Sequence, residues 1–160
     1  MHTALATGAG YISVYHLTME PNTPFGHTPP SGLPHDDAAQ DIEDAVHQAL
    51  ADAGFTHYET SAFARAGQAC RHNLNYWQFG DYLGIGAGAH GKISYPTHIE
   101  RTTRRRGPND YLAAMQGKPA EAIERKRIAA EDLAFEFMMN ALRLHEGVPA
   151  ALLQERTGIA

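Results

Sequence analysis

The segment CRHNLNYW (residues 70–77) places a thiol, a guanidinium, an imidazole, two carboxamides, a phenol and the only tryptophan of the chain within eight positions. Few of those groups favour an apolar core, and Tyr76 and Trp77 are costly to leave in water without a partner. His72 has the widest chemical reach, lying between Arg71 and Asn73 and close in sequence to two aromatic rings. An axial nitrogen beside flat apolar walls is what a haem pocket requires. From the residues alone, the reading that comes first is a structural plug, in which these aromatics fill the mouth of a barrel. If His72 is one axial ligand, Cys70, His90 and an exogenous group all stay open as the second.

Three further patterns carry potential chemistry. GAGAHG (residues 86–91) fits G-x-G-x-x-G, but KISYPTH follows it. A dinucleotide loop needs a helix there, so that backbone amides and the helix dipole meet the pyrophosphate. The better reading is a glycine-rich strand end, with Gly84, Gly86 and Gly88 allowing close approach of another backbone or of a flat ligand. Arg101, Arg104, Arg105 and Arg106 form either an anion-binding cluster or a solvated loop. Met138 and Met139 read as core residues of a long helix rather than sulfur ligands. No pair among the ten histidines has zinc-like spacing with acidic or thiol partners. His2, His27, His35 and His47 are expected in loops or on an exposed helix face.

The elements that must position these groups follow from periodicity. Residues 11–18 are β-branched and aromatic and predict a strand; residues 20–34, rich in Pro and Gly, predict a long loop. Asp36 or Asp37 can cap a helix whose stripe is Ala38, Ile42, Ala45, Val46, Ala49, Leu50 and Ala53, with Gly54 as its stop. Residues 55–63 predict the next strand, completing a parallel βαβ unit. Residues 64–79 lack a period and predict an ordered loop. A short strand over 82–88, an irregular or hairpin segment to 107, a short helix, a long helix over 120–145 and a last short helix complete the chain. The organisation expected is one unit over 1–106 and a second over 107–160.

The chain has 160 residues, 43% of them hydrophobic and 19% charged, with a net charge of −5. That balance argues against a global nucleic-acid surface. No apolar run approaches the roughly 20 residues needed to span a bilayer. Residues 1–16 lack the pattern of a signal peptide, so the cytoplasm is the expected compartment. The single cysteine excludes an internal disulfide, and an iron–sulfur cluster held by several thiolates of this chain alone.

YETSAFARAGQACRHNLNYWQFGDYLGIGAGAHG (residues 58–91) closely resembles the HemW family, haem chaperones related to the oxygen-independent coproporphyrinogen III oxidases. The run H-N-x-x-Y-W, here His72, Asn73, Tyr76 and Trp77, and the block G-[DE]-Y-L-G-x-G-A-G-A at 80–89 carry the resemblance. SVYHLTMEPNTPF and EFMMNALRLHEGV extend it over residues 11–158. It implies an α/β fold: the later strands of a partial radical-SAM (β/α) barrel, followed by the start of a helical C-terminal domain. It also implies haem binding at the H-N-x-x-Y-W segment, with His72 as the metal ligand and Tyr76 and Trp77 as walls. Haem-acceptor proteins would be the partners.

The family's C-x-x-x-C-x-x-C motif for a [4Fe–4S] cluster is absent from this sequence, as is its glycine-rich S-adenosylmethionine region. The expectation is a fragment or truncated product, haem-binding but not active alone. The alternatives are a coproporphyrinogen III oxidase-like enzyme of porphyrin biosynthesis and a non-functional remnant. Strands that have lost upstream neighbours expose a sheet edge through which the chain would form homo-oligomers.

After anaerobic reconstitution the chain by itself is expected to hold no [4Fe–4S] cluster. It is also expected to release no 5′-deoxyadenosine from S-adenosylmethionine, because that cleavage draws its electron from the cluster. Stoichiometric iron and sulfide, measured chemically, would contradict this.

Overall fold

Helix-forming and strand-forming segments alternate through the first part of the chain, and helices close it. The computed structural model describes residues 1–159, which cluster into two units, Met1–Cys70 and a second beginning at Arg71.

The first unit opens with a short helix, α1 (His2–Ala6), and a three-residue strand, β1 (Tyr11–Ser13). The strand predicted over 11–18 is therefore shorter, though the Val14 amide still donates to the Ser61 carbonyl at 2.8 Å. The Pro-rich loop contains one helical turn, α2 (Pro24–His27), capped by the Thr23 hydroxyl, with proline at its first position. Helix α3 (Asp36–Asp52) forms as its periodicity predicts. Its cap is His35, whose Nδ1 accepts from the Ala38 amide, while Asp36 and Asp37 occupy the first turn, where their charge meets the dipole. Gly54, at φ 77°, ends the helix in the left-handed conformation that a side chain would oppose.

The region predicted as one strand over 55–63 is a hairpin: β2 (Thr56–Glu59) and β3 (Ala62–Ala64), joined through Thr60 and Ser61. Two residues can connect antiparallel strands only, since parallel neighbours need a crossover of a dozen or more. Both β1 and β2 pair antiparallel with β3, giving the order β1-β3-β2. The expected parallel pairing of the strands flanking α3 is thereby corrected. They run the same way, but β3 lies between them. Leu50, Phe55 and Phe63 form the core of this unit, flanked by Leu5, Ile12, Val14, Val46 and Ala53, while Ile42 of the predicted stripe stays exposed.

The second unit begins with a helix, α4 (Arg71–Trp77), where residues 64–79 predicted a loop. The strand expected over 82–88 does not form either, and Tyr82 makes only an isolated bridge to Lys92. The hairpin is present as β4 (His90–Tyr95) and β5 (His98–Arg104), turning through Pro96 and Thr97. Helix α5 (Pro108–Gly117) follows. The long helix predicted over 120–145 is replaced by a third strand, β6 (Ile123–Arg127), and a shorter helix, α6 (Leu133–Ala141). Residues 123–127 present no apolar helical face, whereas β5 offers them a ladder from Glu100↔Arg127 to Arg104↔Ile123. Arg125 donates to Glu100 across that ladder at 2.6 Å.

Helix α7 (Ala151–Thr157) ends at Gly158. Phe79, Ile99, Ile128, Phe137 and Ala141 make the core, with Leu152 and Leu153 of α7 packed against it. Met138 and Met139 are 43% and 60% exposed, not core, because Phe137 and Ala141 take the buried face of α6.

Leu50 is fully buried at the centre of the first unit's small core. Leu50→Ala is expected to destabilise it by about 2–5 kcal/mol, through lost transfer energy and a residual cavity. Chemical denaturation followed by far-UV circular dichroism measures this.

Candidate functional site

Helical spacing sorts the H-N-x-x-Y-W residues into two pairs. His72 and Tyr76 are four apart and share one face of α4, as Asn73 and Trp77 share the next. The exposed His72 ring meets Tyr76 edge-on, with centroids 4.7 Å apart, and Tyr76 lies 4.1 Å from Tyr82. Burial, then the neighbouring Tyr82, holds the Tyr76 hydroxyl above its ordinary pKa. The Tyr82 hydroxyl accepts from Arg101 Nη1 at 3.2 Å, and the same guanidinium pairs with Glu136 of α6. Burial alone would lower the Arg101 pKa, but the Glu136 hydrogen bond and charge outweigh it and raise it. A continuous line of contacts thus runs from the His72 imidazole to α6.

Trp77 points elsewhere. The Arg143 guanidinium lies over its ring at 4.3 Å. Both border an open cleft of about 610 Å³, shared with Arg101, Phe135, Glu136 and Met139. His72 is not among the residues lining that cleft.

What ends α4 determines where its faces point. Phe79 takes a left-handed conformation at φ 55°, which is strained for an aromatic residue. The Gly80 amide then closes back onto the Asn75 carbonyl at 2.7 Å, and Asn75 Nδ2 donates to the Asp81 carbonyl at 2.9 Å. A Cβ at Gly80 would stand 2.8 Å from the Asn75 carbonyl oxygen, a backbone atom that cannot swing aside, so glycine is required there.

The Phe79 ring is held from two sides, edge-on by Phe137 at 5.7 Å and by the Lys92 ammonium 4.2 Å from its centroid. Lys92 is only 2% exposed. Its Nζ donates to Asp81 Oδ1 at 2.9 Å and to Ser94 Oγ at 3.3 Å. The second Asp81 oxygen accepts the Ser94 amide at 2.8 Å. Burial lowers the Lys92 pKa, partly offset by Asp81. Burial would raise Asp81, but the hydrogen bonds from Lys92 and Ser94 prevail and lower it.

The glycine run is a turn-rich loop. Gly84 lies so close to β4 that a Cβ would stand 2.2 Å from the His90 carbonyl oxygen, while Gly86 and Gly88 have φ of 99° and 71°. The loop leaves Leu83 and Ile85 exposed at its tip. Strand β4, not a helix, follows GAGAHG, so the dinucleotide geometry is absent. Arg104 donates to the Gly84 carbonyl and Arg105 to the Glu121 carbonyl, so two members of the arginine cluster brace backbone.

In the first unit, His47 departs from the exposed face expected for it, its ring lying 5.0 Å from both His57 and Phe63. Cys70 hydrogen-bonds Tyr11, which raises the Tyr11 pKa, and the Cys70 amide donates to the Tyr58 hydroxyl at 3.3 Å. Lys92, Asp81, Tyr82 and Arg143 were not singled out from the sequence. Asp81 of G-D-Y-L-G and Lys92 of H-G-K gave one usable signal, opposite charges at the two ends of an otherwise apolar and glycine-rich stretch.

A model of the HemN C-terminal domain matches residues 128–160. The chain is 46% identical over 161 residues to the heme chaperone HemW of Haemophilus influenzae, covering 100% of this chain and 40% of that protein. It is 47% identical over 160 residues to the heme chaperone HemW of Escherichia coli, covering 99% and 41%.

The chain belongs to the HemW-like family.

It corresponds to the C-terminal portion of such proteins and spans about 40% of the length of these relatives. The Escherichia coli structure titled coproporphyrinogen III oxidase (HemN), a radical SAM enzyme, superposes with a TM-score of 0.72 at 14% identity. It covers 99% of this chain and 39% of that one. The fold is thus radical-SAM-like, a mixed strand and helix region leading into helices. The residues present do not fit the [4Fe–4S] cluster of radical-SAM chemistry. Cys70 is the only thiol in the sequence, and no group of three or more potential ligands assembles among the described residues.

Both members of the Asp81–Lys92 pair have depressed pKa values, so in each titration window the folded state binds fewer protons than the unfolded one, and stability rises with pH. The contribution of Asp81 is complete above its unfolded pKa and is lost as pH falls through its lower folded value. Asp81→Asn is expected to flatten that acid limb of the stability curve. Lys92→Ala is expected to cost on the order of 3 kcal/mol through lost packing and a broken pair. Urea titrations between acid and neutral pH read both effects.

Proposed function

We propose that this HemW-like chain binds haem on α4, with His72 as an axial ligand, and passes it to an acceptor protein in the cytoplasm. The observation that carries the reading is an exposed imidazole flanked edge-on by Tyr76, which is itself backed by Tyr82. An accessible nitrogen suits a carrier that must release its cargo, and the aromatic rings supply flat apolar surface for the macrocycle. Asn73 and Trp77, on the next face of α4, border the macrocycle rather than the iron in this reading. The loop with Gly84, Gly86 and Gly88 lies nearby in sequence and offers Leu83 and Ile85 as further apolar cover. The heme chaperone relatives support the assignment. In those longer proteins an S-adenosylmethionine and cluster site would belong to the remaining length. Residues 107–160 would begin the helical C-terminal domain, and self-association through a sheet edge accompanies the isolated portion.

Haem titrated into the purified protein should give a Soret band that His72→Ala shifts or abolishes and His47→Ala leaves unchanged. Identical spectra and affinity in His72→Ala would end the ligand assignment.

A further inference from the structure

Trp77 is the only tryptophan, and its indole N–H is fully covered yet meets no acceptor. Covered indole N–H groups normally find a partner, because leaving one unpaired forfeits its hydration. The ring face is covered by Arg143, and the cleft beside it combines that guanidinium with the exposed apolar side chains of Phe135 and Met139. A flat apolar body bearing a carboxylate matches this combination: rings and thioether for the body, and an arginine fork with an indole donor for the acid.

His72 and Trp77 are five residues apart, which at about 100° per residue turns them roughly 140° from each other around α4. A ligand gripped at Trp77 is therefore recognised by its organic part and not by its iron. We propose that the cleft between Trp77 and α6 is an iron-independent site for the carboxylate-bearing edge of a tetrapyrrole. On binding, the Arg143 guanidinium turns from the indole face toward the carboxylate, and the Trp77 N–H gains its acceptor. The choice of a tetrapyrrole rests on the haem reading; the site itself rests on Trp77, Arg143 and the cleft. Two carboxylates border the cleft: Glu136 is paired with Arg101, while Asp132 opposes the ligand's charge and must be outweighed by Arg143.

Metal-free protoporphyrin IX is the probe, since it carries the carboxylates and lacks the iron that His72 would bind. It should quench Trp77 fluorescence with equal affinity in wild type and His72→Ala. Its dimethyl ester should bind at least about tenfold more weakly, on the scale of a charge-assisted hydrogen bond. Arg143→Leu should remove the preference for acid over ester. Trp77→Phe, followed by porphyrin absorbance, should weaken the acid while leaving thermal stability near wild type. If Arg143→Leu fails to fold, the ester and Trp77→Phe arms decide. Absence of quenching by the metal-free acid, or equal binding of acid and ester, overturns the proposal. A Soret band that still depends on His72 would then leave the haem reading standing. A Soret band indifferent to His72, with metal-free quenching intact, would overturn that reading alone.

Discussion

The buried ammonium of Lys92 over the Phe79 ring is the contact on which the candidate site depends. A left-handed phenylalanine is an unfavourable way to end a helix, and ordinary helices put glycine there. Here the ring repays the strain by entering the core beside Phe137, and a cation held by Asp81 and Ser94 lies against its face. A charge taken out of water must be compensated on every side. Asp81, Ser94 and the aromatic quadrupole provide that compensation, at one point joining the end of α4 to β4.

From that point the geometry spreads in two directions. Tyr82, one residue beyond Asp81, exchanges backbone hydrogen bonds with Lys92 and so stands where it can back Tyr76. Phe79 orients the preceding turn, which sends Trp77 toward α6 and leaves His72 outward. Arg101 then ties Tyr82 to Glu136, so the exposed imidazole is connected to the second unit's core through rings and ion pairs. Tightly packed contacts of this kind hold a short helix that has little intrinsic stability of its own.

The charges of the second unit serve structure as much as recognition. Four arginines close together suggested an anion site, yet Arg101 is paired and Arg104 and Arg105 brace carbonyl groups. Glycine and arginine cooperate here. Gly84 lets the loop approach β4, and the guanidinium of Arg104 satisfies the carbonyl that the close approach leaves behind.

Much was legible from local pattern. The stripe of α3, the stop at Gly54, the β4–β5 hairpin, the family resemblance and the want of cluster thiolates all follow from residue types at short range. The failures share a physical cause. Residues 123–127 have no apolar face and became a strand because β5 offered hydrogen bonds and Glu100 a charge partner. Residues 71–77 lack a hydrophobic period, so their helix is set by the Phe79 turn and by packing on α6, neither of which a local window contains. Met138 and Met139 sit on a helix with too many apolar residues for one buried face, and only the position of Phe137 decides which are left outside. The sequence by itself determined which chemical groups are present and which cofactor chemistry this chain cannot support. Tertiary structure alone decided that His72 and Trp77 serve different faces, because direction around a helix exists only once the helix has formed.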